Sequence, residues 1–251
     1  MNMPEFSSPM LLAIAVTFLA AGLVKGVTGM GLPTVAMAVL GALISPLAAA
    51  SLLVIPSFVT NVWQFLSGPA RGAVLRRLWP MMLAIFAGTA LSAGLLVVEE
   101  TGASTTALGL ALVGYTAYSL FARQLHMPLR LELWLSPFIG GATGIVTGGT
   151  GILVIPAVPY LQALSMPREH LIQALGLSFT VSTLALSVGL GARGAFTLQV
   201  VGLSALAVLP ALVGMWVGQK LRARIDPSVF RRLFLLSLLL LGLEMALRSF
   251  W

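Results

Sequence analysis

Gly22-Leu23-Val24-Lys25-Gly26-Val27-Thr28-Gly29-Met30-Gly31-Leu32-Pro33 interrupts one long apolar stretch of this chain. Gly140-Gly141-Ala142-Thr143-Gly144-Ile145-Val146-Thr147-Gly148-Gly149-Thr150-Gly151 interrupts another, and matching Gly29-Met30-Gly31 to Gly149-Thr150-Gly151 sets the two 120 positions apart. Each run is too apolar for a soluble loop and too glycine-rich for an undisturbed helix, because glycine lets the backbone leave helical geometry. At membrane depth, freed backbone groups persist only where protein or a hydrated cavity satisfies them. Paired interruptions at matching places in two halves point to a transporter's binding site.

Composition places these runs in a bilayer. The 251 residues are 59% hydrophobic and 8% charged, with a mean hydropathy of +1.03. That leaves too little polar material to cover a water-soluble domain. Long Leu- and Ala-rich runs, rather than short alternating strands, argue against a barrel and for an all-α polytopic membrane protein. The net charge of +7 does not signal nucleic-acid binding, because the basic residues fall in short inter-helix loops. With no cysteine, disulfides, thiolate metal sites and cysteine nucleophiles are excluded. Residues 1–10 carry Glu5 and no basic n-region, so the first apolar segment is expected to act as its own insertion signal.

Ten apolar segments are predicted, at 8–28, 31–47, 48–67, 78–98, 103–122, 131–148, 149–166, 168–190, 196–218 and 228–247. Most approach the ~20 residues of a bilayer crossing. The segments 31–47 and 149–166 are shorter, follow the glycine runs and contain Pro33, Pro46, Pro156 and Pro159. The sequence leaves open whether they are tilted spans or re-entrant half-helices. With ten crossings and the N-terminus outside, the inner loops hold Arg71, Arg76, Arg77, Arg123, Arg130, Arg168, Lys220, Arg222, Arg224, Arg231 and Arg232. Glu5, Glu99, Glu100, Arg193 and Arg248 fall outside, as the positive-inside rule expects. Eight crossings would put the Arg71–Arg77 and Lys220–Arg232 loops on opposite sides.

The repeat extends past the glycines. Ser57-Phe58-Val59-Thr60-Asn61 is answered by Ser178-Phe179-Thr180-Val181-Ser182, and Ala70-Arg71-Gly72-Ala73 recurs as Ala192-Arg193-Gly194-Ala195. Three matches in order, 120 to 122 positions apart, indicate duplication. The expected architecture is therefore two repeats, residues 1–124 and 125–251, with glycine-broken helices. Five segments in each make the repeats inverted relative to one another.

These features resemble the sulfite exporter TauE/SafE family, also called the toluene-sulfonate uptake permease family. The resemblance is carried by residues 26–33 of the first run, by residues 144–151 with the following Ile152-Leu153-Val154-Ile155-Pro156, by the small-residue stretches Gly88 to Gly94 and Gly214 to Gly218, and by Gly218-Gln219-Lys220-Leu221-Arg222. It covers nearly the whole chain. It implies a bacterial or archaeal inner-membrane, multi-pass transporter of small sulfur-containing anions such as sulfite, thiosulfate or an organosulfonate. Met30, where the family often has glycine, and the charged Lys25 depart from its pattern.

Lys25 stands out, since a lysine within the bilayer costs ~2.5–3.5 kcal/mol on insertion scales and must face protein, water or substrate. It serves either as a cation that attracts an anion beside free helix-end N–H groups or as an anchor that snorkels to the inner surface. Thr28, Thr143, Thr147 and Thr150, with the backbone of Gly29, Met30, Gly31, Gly148, Gly149 and Gly151, offer hydrogen bonds to replace an oxyanion's hydration shell. Each threonine can instead bond to its own helix. Asn61 and Gln64 share a face of the third segment and can bind substrate or hold a neighbouring helix. Their counterparts in the second half are Ser182 and, more loosely, Ala185, with Ser178 and Thr183 nearby.

Trp63 and Trp134 read as interfacial, and His170 as a loop residue beside Arg168 and Glu169. Glu244 sits near the end of the last segment. No metal-ligand or nucleophile cluster is evident, the glycine runs lack a phosphate-loop ending, and neither a cofactor nor an enzyme is expected. The expected partners are a small anionic substrate and the bilayer, with a proton or cation as the candidate coupling ion and no nucleic acid. The alternatives are a channel-like pore and a non-transporting scaffold or accessory subunit.

Overall fold

A computed structural model describes residues 7–98, 102–121, 127–222, 224 and 227–247. The expectations placed on Glu5, Glu99, Glu100, Arg123 and Arg248 fall outside the described residues. Among those described, the chain is all-helical. The first half forms α1 (Ser8–Thr28), α2 (Leu32–Leu43), α3 (Pro46–Leu66), α4 (Arg71–Ser92), α5 (Gly94–Val98) and α6 (Gly102–Phe121). The second forms α7 (Leu129–Thr150), α8 (Ala157–Ala163), α9 (Arg168–Gly191), α10 (Leu198–Leu206), α11 (Val208–Leu221) and α12 (Pro227–Leu247). Five stretches are long and apolar enough to cross a membrane: α1, α3, Arg71–Val97, α9 and Leu198–Leu221. The fourth segment starts at Arg71, two turns earlier than hydropathy marked it, because arginine is a good helix former and the helix need not stop where apolarity does.

The glycine runs behave differently from the expectation. α1 continues through Gly22 and Gly26, and α7 through Gly140, Gly144 and Gly148. Only Gly29 (φ 81°), Gly31 (φ 110°) and Gly151 (φ 74°) leave helical geometry. The other glycines let backbones touch. A Cβ on Gly22 would overlap Ala211 O, one on Gly26 Met215 O, and one on Gly218 Leu23 O, all between α1 and α11. On Gly144 it would meet Ile85 O and on Gly88 Gly141 O, both between α7 and α4. Lipid gives apolar helices little reason to associate, so close small-residue contact is what binds them.

These contacts fix directions. α1 lies parallel to α11 (Leu19 by Gly214, Leu23 by Gly218), and α7 parallel to α4 (Gly140 by Met81, Gly148 by Ser92). α3 and α9 cross antiparallel: Ser57 Oγ lies 3.2 Å from Thr183 Oγ1, Gln64 donates to Ile172 O at 2.9 Å, and Gln173 to Phe65 O at 2.8 Å. α6 and α12 pack through Gly109 and Gly242.

The short segments also take definite form. α2 has 12 residues, about 18 Å of helix, well short of a bilayer's apolar thickness. In the second half, residues 152–155 are non-helical, the Ile155–Pro156 bond is cis, and α8 follows. Met127 N–H donates to Ala163 O at 2.9 Å, which places the end of α8 beside the start of α7. The 149–166 segment therefore runs back along the whole of α7 rather than turning back halfway. Arg77 fastens the same end, with a bidentate pair to Glu132 (2.6 and 2.8 Å) and a bond to Leu164 O at 3.4 Å. The stretches beside Arg77, Arg130 and Arg168, all expected to be internal, thus meet at that end.

Candidate functional site

α1 and α7 end in the same device. Gly29 N–H donates to Lys25 O and Gly151 N–H to Thr147 O, at 2.8 and 2.7 Å. Thr28 Oγ1 donates to Val24 O and accepts from Met30 N–H; Thr150 Oγ1 donates to Val146 O and accepts from Ile152 N–H. Glycine permits the left-handed turn, and the threonine satisfies backbone groups the helix end frees. This identity corrects the register. Thr28-Gly29-Met30 corresponds to Thr150-Gly151-Ile152, a spacing of 122 rather than 120. The same spacing joins Arg71 to Arg193 and, decisively for the site, Lys25 to Thr147.

Lys25 is 3% exposed and does not snorkel. Its ammonium donates to Thr60 Oγ1 at 3.1 Å and to Asn61 Oδ1. Asn61 Nδ2 donates to Ser57 Oγ at 3.0 Å, and Ser57 pairs with Thr183 across the α3–α9 crossing. Ser57, Thr60, Asn61 and Thr183 are fully buried. One chain of polar groups therefore runs from the last turn of α1, through α3, into α9. An ammonium has three N–H donors and these contacts use two. The place of Lys25 in the last turn of α1, at the negative end of that helix, favours the charged ammonium.

The other expected residues divide into groups. Thr28 and Thr150 serve the caps, and Thr28 Oγ1 also lies 2.6 Å from Met30 O. Thr143 donates to Ile139 O and Thr147 to Ile152 O. Gln64 ties α3 to α9 at a backbone carbonyl. Gly148 packs against Thr89 and Ser92 of α4, Gly149 lies near Leu95, and Gly151 meets Met37 of α2. Gly31 faces Val24 and Phe234. At the second break, then, the glycine faces Met37 of α2, the helix that follows the first break. Ser178 and Ser182 are fully buried and have no hydrogen-bond partner.

Trp63 and Trp134 are exposed, in keeping with an interfacial place, and Glu244 is exposed on α12. Thr60 and Ser57 were missed as site residues, although their spacing from Asn61 puts all three near one helix face. Thr89, also buried without a partner, had no signal beyond its neighbouring glycine. Among the described residues, no group of three or more His, Asp or Glu could hold a metal.

Long apolar helices, close small-residue packing, two capped breaks and a buried lysine define a multi-pass helical membrane protein with a polar centre. The model of the sulfite exporter TauE/SafE family matches residues 13–245, and the chain belongs to that family. The family is one of membrane transporters, and its description points to sulfur anions. No curated protein and no solved structure matches the chain.

Proposed function

We propose that this chain is a secondary transporter, not an enzyme, that moves a small sulfur-containing anion (sulfite, thiosulfate or an organosulfonate) across a bacterial or archaeal inner membrane. The observation that carries this is Lys25: a buried ammonium, held by Thr60 and Asn61, with one donor to spare. The anion sits against that donor. Asn61 and Thr60 aim the ammonium, and the N-terminus of α2, which begins at Leu32 just beyond Gly31, supplies further N–H groups.

Residues 1–124 and 125–251 form inverted repeats of five segments that expose the site alternately by rocking. Several contacts support this. At a spacing of 122, the α1–α11 pairing corresponds to the α7–α4 pairing, each parallel and each built on glycine. α3 meets its own counterpart α9 antiparallel, as an axis lying in the membrane plane requires.

The test is transport in proteoliposomes with labelled sulfite, thiosulfate and sulfonates. Saturable uptake with counterflow is expected, and Lys25→Ala should abolish it. Flux without saturation or counterflow would instead indicate a pore. No flux of any small anion sinks the proposal.

A further inference from the structure

The groove between the first turns of α4 and α7 holds a charge that the transport site does not use. The two helices run parallel there, around a cavity of about 290 Å³ lined by Arg76, Arg77, Pro80, Glu132, Leu133 and Ser136. Glu132 is buried and accepts from Arg77 at both oxygens, while Ser136 pairs with Tyr160 at 2.7 Å. Arg76 is exposed and has neither a hydrogen-bond nor an ion-pair partner among the described residues. Two guanidiniums against one carboxylate leave the cavity one positive charge, and it stands on Arg76. The surroundings suit a membrane surface. Leu133 is 77% exposed, and Trp79 and Trp134, next in the chain to Pro80 and Leu133, are exposed as well. Outward-facing tryptophans settle at headgroup level. Trp79 also follows Arg76 by three residues, which puts both on one face of α4.

We propose that this cavity binds the headgroup of an anionic glycerophospholipid, such as phosphatidylglycerol, with Arg76 as the principal ligand of its phosphate. The inference holds whichever anion the protein carries. A guanidinium presents a planar fork that matches two phosphate oxygens. The carboxylate of Glu132 is already satisfied by Arg77, so it walls the cavity without repelling the lipid as a free acid would. The single remaining positive charge is balanced by the single negative charge of a phosphodiester. The cavity has the volume of about ten water molecules, which admits a headgroup. Pro80 and the exposed Leu133 give the acyl chains an apolar way back into the bilayer. Basic pockets between helices on the cytoplasmic side hold lipid headgroups in this manner, and the positive-inside rule puts this arginine-rich end on that side. A lipid seated here adds to the tie that Arg77 and Glu132 already make between α4 and α7, so its binding reads out as stability.

Thermal unfolding of the full-length purified protein in detergent, titrated with phosphatidylglycerol, phosphatidylcholine or inorganic phosphate, tests this alongside native mass spectrometry of the retained lipid. Saturable stabilisation by phosphatidylglycerol alone is expected, because a ligand bound only to the folded state raises its stability. Arg76→Gln should weaken phosphatidylglycerol affinity about tenfold, as the loss of one charged contact does. Arg76→Lys keeps the charge without the fork and should fall between the two. Arg71→Gln removes an exposed arginine of the same end that does not line the cavity, and it should bind the lipid like the parent protein. Equal stabilisation by phosphatidylcholine, unchanged affinity in folded Arg76→Gln, or an equal loss in Arg71→Gln overturns the site. Stabilisation by inorganic phosphate to the same extent overturns the lipid as its occupant.

Discussion

The ends of α1 and α7 carry the same cap and opposite chemistry. Each is a Thr-Gly pair in which glycine turns left-handed and threonine bonds four residues back and two residues on. One turn earlier, α1 presents Lys25 to Thr60 and Asn61, whereas α7 presents Thr147, whose hydroxyl donates to Ile152 O. Beyond the cap, α1 is followed by a 12-residue helix, and α7 by extended chain and a seven-residue helix. The two helix ends share one backbone device and differ in the side chains around it. The first break carries a charged side chain, and the second a neutral hydroxyl at the matching place.

Lys25→Ala should have the largest effect on that contrast. It removes the cation and strands two buried acceptors, so labelled-anion uptake should fall to background. If affinity is still measurable, a loss of about 1.5–3 kcal/mol, the range for hydrogen bonds to charged groups, is expected. Thr147→Ala should spare anion affinity by comparison; an equal loss in both would erase the distinction between the breaks.

Next come Gly26→Leu and Gly144→Leu, which drive side chains into the α1–α11 and α4–α7 contacts. Each should destabilise by about 1–3 kcal/mol or more, read as a lower midpoint of thermal unfolding in detergent. If only one does, the two pairings are not equivalent. Glu132→Ala breaks the pair that Arg77 makes at the base of α7, for which no counterpart exists at the base of α1: Met10 and Gln199 stand at the positions 122 away. A drop in thermal midpoint is expected without loss of anion affinity in the folded fraction. The smallest effects belong to Thr28→Val and Thr150→Val, about 1 kcal/mol each for a lost cap bond, and the pair should match closely.

Much of this was legible in the residues. Composition and hydropathy are properties of the chain itself, so the all-helical membrane class and most segment positions could be read directly. Lys25 was conspicuous because a charge in an apolar run is costly wherever it lies. The glycines were harder. Gly29 and Gly144 look alike in sequence, yet one turns the backbone and the other admits a neighbouring helix, a difference that depends on what packs against each. The register suffered for the same reason: Gly-Met-Gly resembles Gly-Thr-Gly, but the hydrogen bonds of the caps align Gly29 with Gly151.

By itself, then, the sequence determined a polytopic helical protein with two glycine-marked interruptions and one lysine inside an apolar run, because solvation and backbone freedom act residue by residue. Only the tertiary structure decided which glycines break helices, that Lys25 is held by α3, that Thr147 takes the matching cap position on α7, and that Ser178, Ser182 and Thr89 are buried without partners. Those facts depend on contacts between segments far apart in the chain, and on which hydroxyls find partners once the helices have closed around them.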